Sequence, residues 1–136
     1  MERIKINDGS KSYEIVNQNN KKLGVFTFNP SDTNIIEKYN SVVESLETTT
    51  DKMKTGEKED MIAAADVLRE KMDGLFGEDT SKTFFSITGP LTPLENGQLF
   101  VENVLEAIGA IVEKEMKIRV KKLRVRMDKY TEKYNK

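Results

Sequence analysis

The chain has 136 residues, with 22 Lys and Arg, 23 Asp and Glu, and neither His, Cys nor Trp. This length predicts one domain with room for an appended arm, since domains of soluble proteins commonly hold about 100–150 residues. Without His or Cys the chain has no thiol nucleophile, no Ser–His couple and no zinc ligands of the usual kind. Most hydrolase and zinc-protein chemistries are therefore excluded, and we expect no metal and no cofactor.

Two turn-forming runs, residues 7–10 and 17–20, divide the N-terminal part of the chain. They contain Asp-Gly and Asn-Asn, whose residues tolerate the positive φ angles of tight hairpins. The runs separate three short segments with the alternation or β-branched content of strands, at residues 3–6, 12–16 and 23–28. The sequence therefore predicts a three-stranded β-meander over residues 1–28.

A first helix is predicted after this meander. Asn29 is a candidate N-cap, Pro30 suits the first helical position, and Asp32 lies near the positive end of the helix dipole. Apolar residues then recur at steps of three and four toward Met53, and Gly56 closes the segment.

A second amphipathic helix is predicted over residues 57–76, because its apolar residues again recur at helical spacing and Gly77 follows as a stop signal. A long loop over residues 77–97 comes next. Loops of this length in small domains are usually functional or docked on the core. The adjacent Phe84 and Phe85 favour docking.

The segment 99–134 is the most informative part of the chain. Its apolar residues continue at alternating steps of three and four, which predicts one helix of ~54 Å at 1.5 Å per residue. A compact body of about 100 residues has a radius of gyration of only ~13 Å, so the second half of this helix would overhang the core and need a partner. The alternative is an extended arm, because residues 123–127 alternate as a strand does.

Charge is unevenly distributed along the chain. Residues 1–112 carry 12 basic and 19 acidic residues, a net charge of −7, whereas residues 113–136 carry 10 basic and 4 acidic residues, a net charge of +6. The basic segment can contact nucleic acid, form a solvated helix, or pair with the acidic body of a neighbouring subunit. We therefore divide the chain into a β-meander at 1–28, an acidic helical body at 29–112 and a basic C-terminal helical extension at 113–136.

These segments define an α+β fold: a three-stranded meander followed by three helices, the last long and overhanging. No run approaches the ~20 apolar residues needed to span a bilayer, and the N-terminus lacks the apolar region of a secretory signal. We expect the protein in the cytoplasm of the cell that makes it. The chain also lacks the Gly-rich phosphate-binding loop with its lysine.

Part of the sequence resembles a known family. The segments that carry the resemblance are Asp73-Gly74-Leu75-Phe76-Gly77-Glu78-Asp79-Thr80-Ser81, the pair Phe84-Phe85, a Pro-containing loop, and Leu99-Phe100-Val101-Glu102-Asn103-Val104-Leu105-Glu106-Ala107-Ile108. Together they resemble small tail assembly chaperones of long-tailed bacteriophages or prophages of Gram-positive bacteria. The ending Lys129-Tyr130-Thr131-Glu132-Lys133-Tyr134 is similar to the ends of related small phage proteins.

The resemblance implies a non-enzymatic role in virion assembly. Copies of such a chaperone coat the tape measure protein, keep its helices soluble and help tail tube subunits to assemble. We expect a homo-oligomer whose contacts with itself or a client use Phe84, Phe85, Val120, Leu123, Val125, Met127 and Tyr130. The alternative is a nucleic-acid-binding accessory or regulatory protein of a phage or mobile element that uses the basic extension.

Overall fold

The computed structural model describes residues 1–54 and 56–134. Its elements in chain order are β1 (Lys11–Val16), β2 (Lys22–Phe28), α1 (Thr33–Met53), α2 (Lys58–Phe76), α3 (Thr80–Phe84) and α4 (Phe100–Tyr134). The predicted α+β class is confirmed. The described part of the chain has four helices, one more than expected, because the short α3 lies within the predicted loop.

The sheet is a two-stranded antiparallel hairpin. Tyr13 of β1 lies opposite Phe26 of β2, and the side chains of Phe26 and Phe28 are buried on the face that meets the helices. The side chain of Asn17 closes the hairpin by accepting hydrogen bonds from the backbone N–H groups of Asn19 and Lys21. Both predicted strands of this hairpin are confirmed within one residue.

The predicted third strand at residues 3–6 is wrong. The side chains of Asn7 and Asp8 accept hydrogen bonds from the N–H groups of Gly9 and Ser10, and Gly9 has φ = 78°. These turns lie between residues 3–6 and β1, and residues 1–10 form no strand. Residues 3–6 also contribute nothing to the core, since Ile4 and Ile6 are exposed and the hairpin meets the helices through Tyr13, Phe26 and Phe28.

The start of α1 also differs from the prediction. The helix begins at Thr33, and Asp32 is its N-cap, with a side-chain oxygen that accepts a hydrogen bond from the N–H of Asn34. Pro30 is buried in the turn before the helix. Asn29, the predicted cap, instead organises that turn by accepting a hydrogen bond from the N–H of Ser31.

The other helices follow the sequence pattern. Helix α2 ends where predicted, and Gly77 follows it with φ = 125°. Helix α4 continues without a break to Tyr134, so the alternating residues 123–127 are helical rather than extended. A stripe over more than thirty residues therefore determines the conformation, and the short alternation does not.

One apolar core joins the hairpin to all four helices. Leu68 and Met72 of α2 lie at its centre with no exposed surface, and Val101, Val104, Leu105 and Ile108 of α4 pack against it. The apolar contacts of α4 with the core extend as far as Ile111 and Val112. The first half of α4 is thus part of the body.

Candidate partner-binding surface

A polar cluster follows the last apolar contacts of α4 with the body. Glu115 of α4 is buried, and its carboxylate lies 3.0 Å from the Nζ of Lys11 on β1. The Nε of Arg119, one turn further along α4, lies 3.5 Å from the other carboxylate oxygen. This cluster therefore ties the edge of the hairpin to the middle of α4.

Arg119 connects three segments of the chain. Its Nη1 lies 2.9 Å from the carbonyl oxygen of Gly9, 3.0 Å from Oδ1 of Asn29 and 2.8 Å from Oγ of Ser31, so its two N–H groups are shared among three acceptors. The Nδ2 of Asn29 donates to the carbonyl oxygen of Asp8 at 2.8 Å. The N-terminal turn, the turn before α1 and helix α4 thus meet at one guanidinium.

Gly9 is required at this junction. A Cβ at this position would lie 2.8 Å from Nδ2 of Asn29, closer than atoms can approach without a shift, and the φ of 78° disfavours any other residue. Gly9 therefore allows the turn to approach Asn29 and present its carbonyl oxygen to Arg119.

The ion pair shifts the pKa values of its members in opposite directions. The hydrogen bond and charge of Lys11 hold the pKa of Glu115 below its ordinary value of 4.5, and the same contact raises the pKa of Lys11 above 10.5. A lowered carboxyl pKa stabilises the fold above the unfolded-state value and loses that contribution as the pH falls through the folded-state value. The Lys11–Glu115 pair therefore contributes at neutral pH, and its contribution is lost as the pH falls below the ordinary pKa of 4.5 and through the lower pKa of the folded state.

Beyond Arg119 the helix leaves the body. The residues that continue the apolar stripe are exposed, and we call them the apolar row: Val120 (37% exposed), Leu123 (53%), Met127 (54%) and Tyr130 (59%). They recur at steps of three and four and therefore share one face of α4. Four of the seven predicted contact residues are thus brought together on one surface.

Val125 lies on a different face. It is exposed, as is Ile118 seven residues earlier, but its position places it nearly opposite the apolar row on the helix. The structure therefore does not join Val125 to the other residues of the predicted contact surface.

Phe84 and Phe85 are core residues. Each is only 8% exposed, and the ring of Phe84 meets that of Phe26 edge-on at 4.9 Å while the ring of Phe85 lies 6.2 Å from that of Phe100. The structure thus places these two rings in the core, apart from the other predicted contact residues. Their docking on the core, which the sequence also favoured, is confirmed.

The flanks of the apolar row are basic. Arg124 and Arg126 are exposed on either side of it, and neither has an acidic partner within the described part of the chain. By contrast, Lys117 pairs with Glu113 on α4 and Arg119 is held by the body. Arg124 and Arg126 therefore place positive charge that has no acidic partner among the described residues directly beside the apolar row.

The N-terminal segment leaves the body at the same place. Ile4 and Ile6 are 93% and 77% exposed, and their segment is connected through Gly9 to Arg119. The strand pattern of residues 3–6 predicts these two side chains in a sheet and gives no sign that they form exposed apolar surface.

In the sequence, Arg119 is one of ten basic residues of the extension, and its charge alone does not distinguish it from the others. A signal for its role was present, because Glu115 and Arg119 continue the buried row of Ile108 and Val112 at steps of three and four. A charged pair of opposite sign in line with a buried row indicates a polar contact with the body.

Comparisons with known proteins found no matching family model, no similar curated protein and no similar solved structure. Over residues 1–54 and 56–134, no three acidic side chains gather as a metal site would require. In the same residues, no helix combines the length and apolar character needed to cross a bilayer. The surface of α4 beyond Arg119 is therefore the feature from which we argue function.

Replacing Arg119 with Ala is expected to lower the free energy of unfolding by about 2 kcal/mol, because hydrogen bonds to a charged group are lost at three acceptors in a partly buried site. Lys121→Ala, two residues further along, should change it by less than about 0.5 kcal/mol. Urea unfolding of both variants tests this. Equal stabilities would contradict the role of Arg119 as the junction.

Proposed function

We propose that the protein is a tail assembly chaperone of a long-tailed phage or prophage, and that it binds helical segments of the tape measure protein or of tail tube subunits without catalysing a reaction. The single observation that carries this proposal is the apolar row, which lies on a helix that projects beyond its own core. An exposed apolar stripe on a helix is suited to receive the apolar face of another helix. The resemblance of residues 73–108 to such chaperones supports the same role.

The side chains of the row are large enough to provide useful affinity. Full burial of a Val, Leu or Met side chain contributes ~1.5–3 kcal/mol, so Val120, Leu123 and Met127 together offer a substantial part of a micromolar interaction before entropic costs are subtracted. Exposed charge pairs contribute only ~0–1 kcal/mol each. The apolar row therefore supplies the affinity in this proposal, and the basic residues influence orientation and association rate.

A Leu123→Asp plus Met127→Asp variant should fold normally and fail to keep a tape measure fragment soluble on co-expression. Both side chains lie beyond the core, so their loss removes client contacts and leaves the body intact. Circular dichroism reports on folding, and the soluble yield of the fragment reports on binding.

The matched control is Ile62→Asp plus Val67→Asp, which places the same charges at exposed apolar positions of α2. This control should keep the fragment soluble. A folded Leu123/Met127 variant that still protects the fragment would exclude the apolar row as the client surface.

A second candidate function is nucleic-acid binding, and the exposed arginines at 124 and 126 favour it. Contacts between arginine and phosphate release counterions, so such binding falls steeply with salt concentration. We expect any gel shift seen at low salt to disappear near about 150 mM salt. Sequence-selective binding that persists at this concentration would support the nucleic-acid function over the chaperone function.

A further inference from the structure

The charges beside the apolar row determine which helices can pair with it. In heptad notation Val120 and Met127 take position a, and Leu123 and Tyr130 take position d. Positions e and g flank such a row and face the partner helix in a coiled coil. A β-branched residue at a followed by Leu at d, as in Val120 and Leu123, suits a two-stranded pairing.

All four flanking positions in the first two heptads are basic. Lys117 and Arg124 occupy position e, and Arg119 and Arg126 occupy position g. The acidic residues of this part of the helix, Asp128 and Glu132, occupy positions b and f, away from the row. Lys117 is paired with Glu113, and Arg119 is held by Glu115 and the N-terminal turns, so the flanking charges available to a partner helix are Arg124 on one side of the row and Arg126 on the other.

This arrangement opposes pairing of the extension with a second copy of itself. In a parallel pair, Arg124 and Arg126 would face Arg119 and Thr131 of the other helix, so neither arginine would meet an acid. In an antiparallel pair, each arginine-bearing edge would face its own copy. Like charges at these positions destabilise the pair. Pairing of two such rows is therefore disfavoured as the basis of the expected homo-oligomer.

We infer that the occupant of the apolar row is an amphipathic helix of another protein whose own apolar stripe is flanked by Glu or Asp. This inference rests on the proposed chaperone function and adds the chemistry of the client. Acidic flanks would pair with Arg124 and Arg126, which have no acidic partner within the described residues. The row provides affinity, and the arginines select the client by charge.

Three synthetic peptides test the inference with the full chain. Each is an amphipathic helix of about three heptads with the same Val and Leu seam, and they differ only in carrying Glu, Gln or Lys at every e and g position. Calorimetry at low salt should give a dissociation constant about tenfold lower for the Glu peptide than for the Gln peptide, and weaker binding still for the Lys peptide. The preference should decrease as salt is added.

Variants of the chain assign this preference to the flanks. Arg124→Glu plus Arg126→Glu should reverse the order of the Glu and Lys peptides. The control Lys121→Glu plus Lys129→Glu makes the same change in net charge at positions b and c, and it should keep the wild-type order. Circular dichroism of each variant verifies that the helix is retained.

Several results would overturn the inference. One is equal affinity for the three peptides; another is displacement of the Glu peptide by duplex DNA at about 150 mM salt, which would make phosphate the ligand. A third is self-association of the free protein that the Leu123→Asp plus Met127→Asp change abolishes. The occupant of the apolar row would then be a second copy of the chain.

The inference and the chaperone function fail separately. Loss of the charge preference while the tape measure fragment stays soluble overturns only the inference. Failure to bind any of the peptides, together with failure to protect the fragment, overturns both.

Discussion

The contact of Arg119 with the N-terminal turn and the turn before α1 sets the boundary on which the rest of the structure depends. On one side of it, α4 packs against the core, and its core-facing apolar residues are buried or partly buried. On the other side, the same helix carries apolar residues of similar size that stay exposed. Arg119 suits this boundary because burying a guanidinium is costly unless hydrogen-bond acceptors surround it. When Gly9, Asn29 and Ser31 supply those acceptors, the guanidinium in turn holds their two turns in one arrangement.

The elements with long periodic patterns could be predicted from the sequence. Helices α2 and α4 were predicted to within a residue or two, since each carries an apolar stripe of several turns, and Gly77 gave a clear stop. The hairpin was also predicted, because its turn contains residues that tolerate unusual φ angles. In each case the apolar spacing and turn residues of the segment favour the same structure that buries its apolar side chains in the core.

The errors arose where tertiary contacts override a short local pattern. Residues 3–6 alternate as a strand does, but their apolar side chains are exposed and contribute nothing to the core. Asn29 has the chemistry of a helix cap, but its side chain is used by Ser31, Asp8 and Arg119 instead. Phe84 and Phe85 were candidates for both core and interface, and composition alone cannot decide between these roles.

We expect α4 to open locally at a much lower free-energy cost beyond Arg119 than before it, because the body covers the helix only as far as Arg119. Amide hydrogen exchange along the helix in the unliganded protein measures this directly. We predict slow exchange, governed by global unfolding, for the amides of residues 104–115, and exchange faster by orders of magnitude for the amides beyond Arg119. Equally slow exchange along the whole helix would contradict the account, because the extension would then already be covered in the free protein.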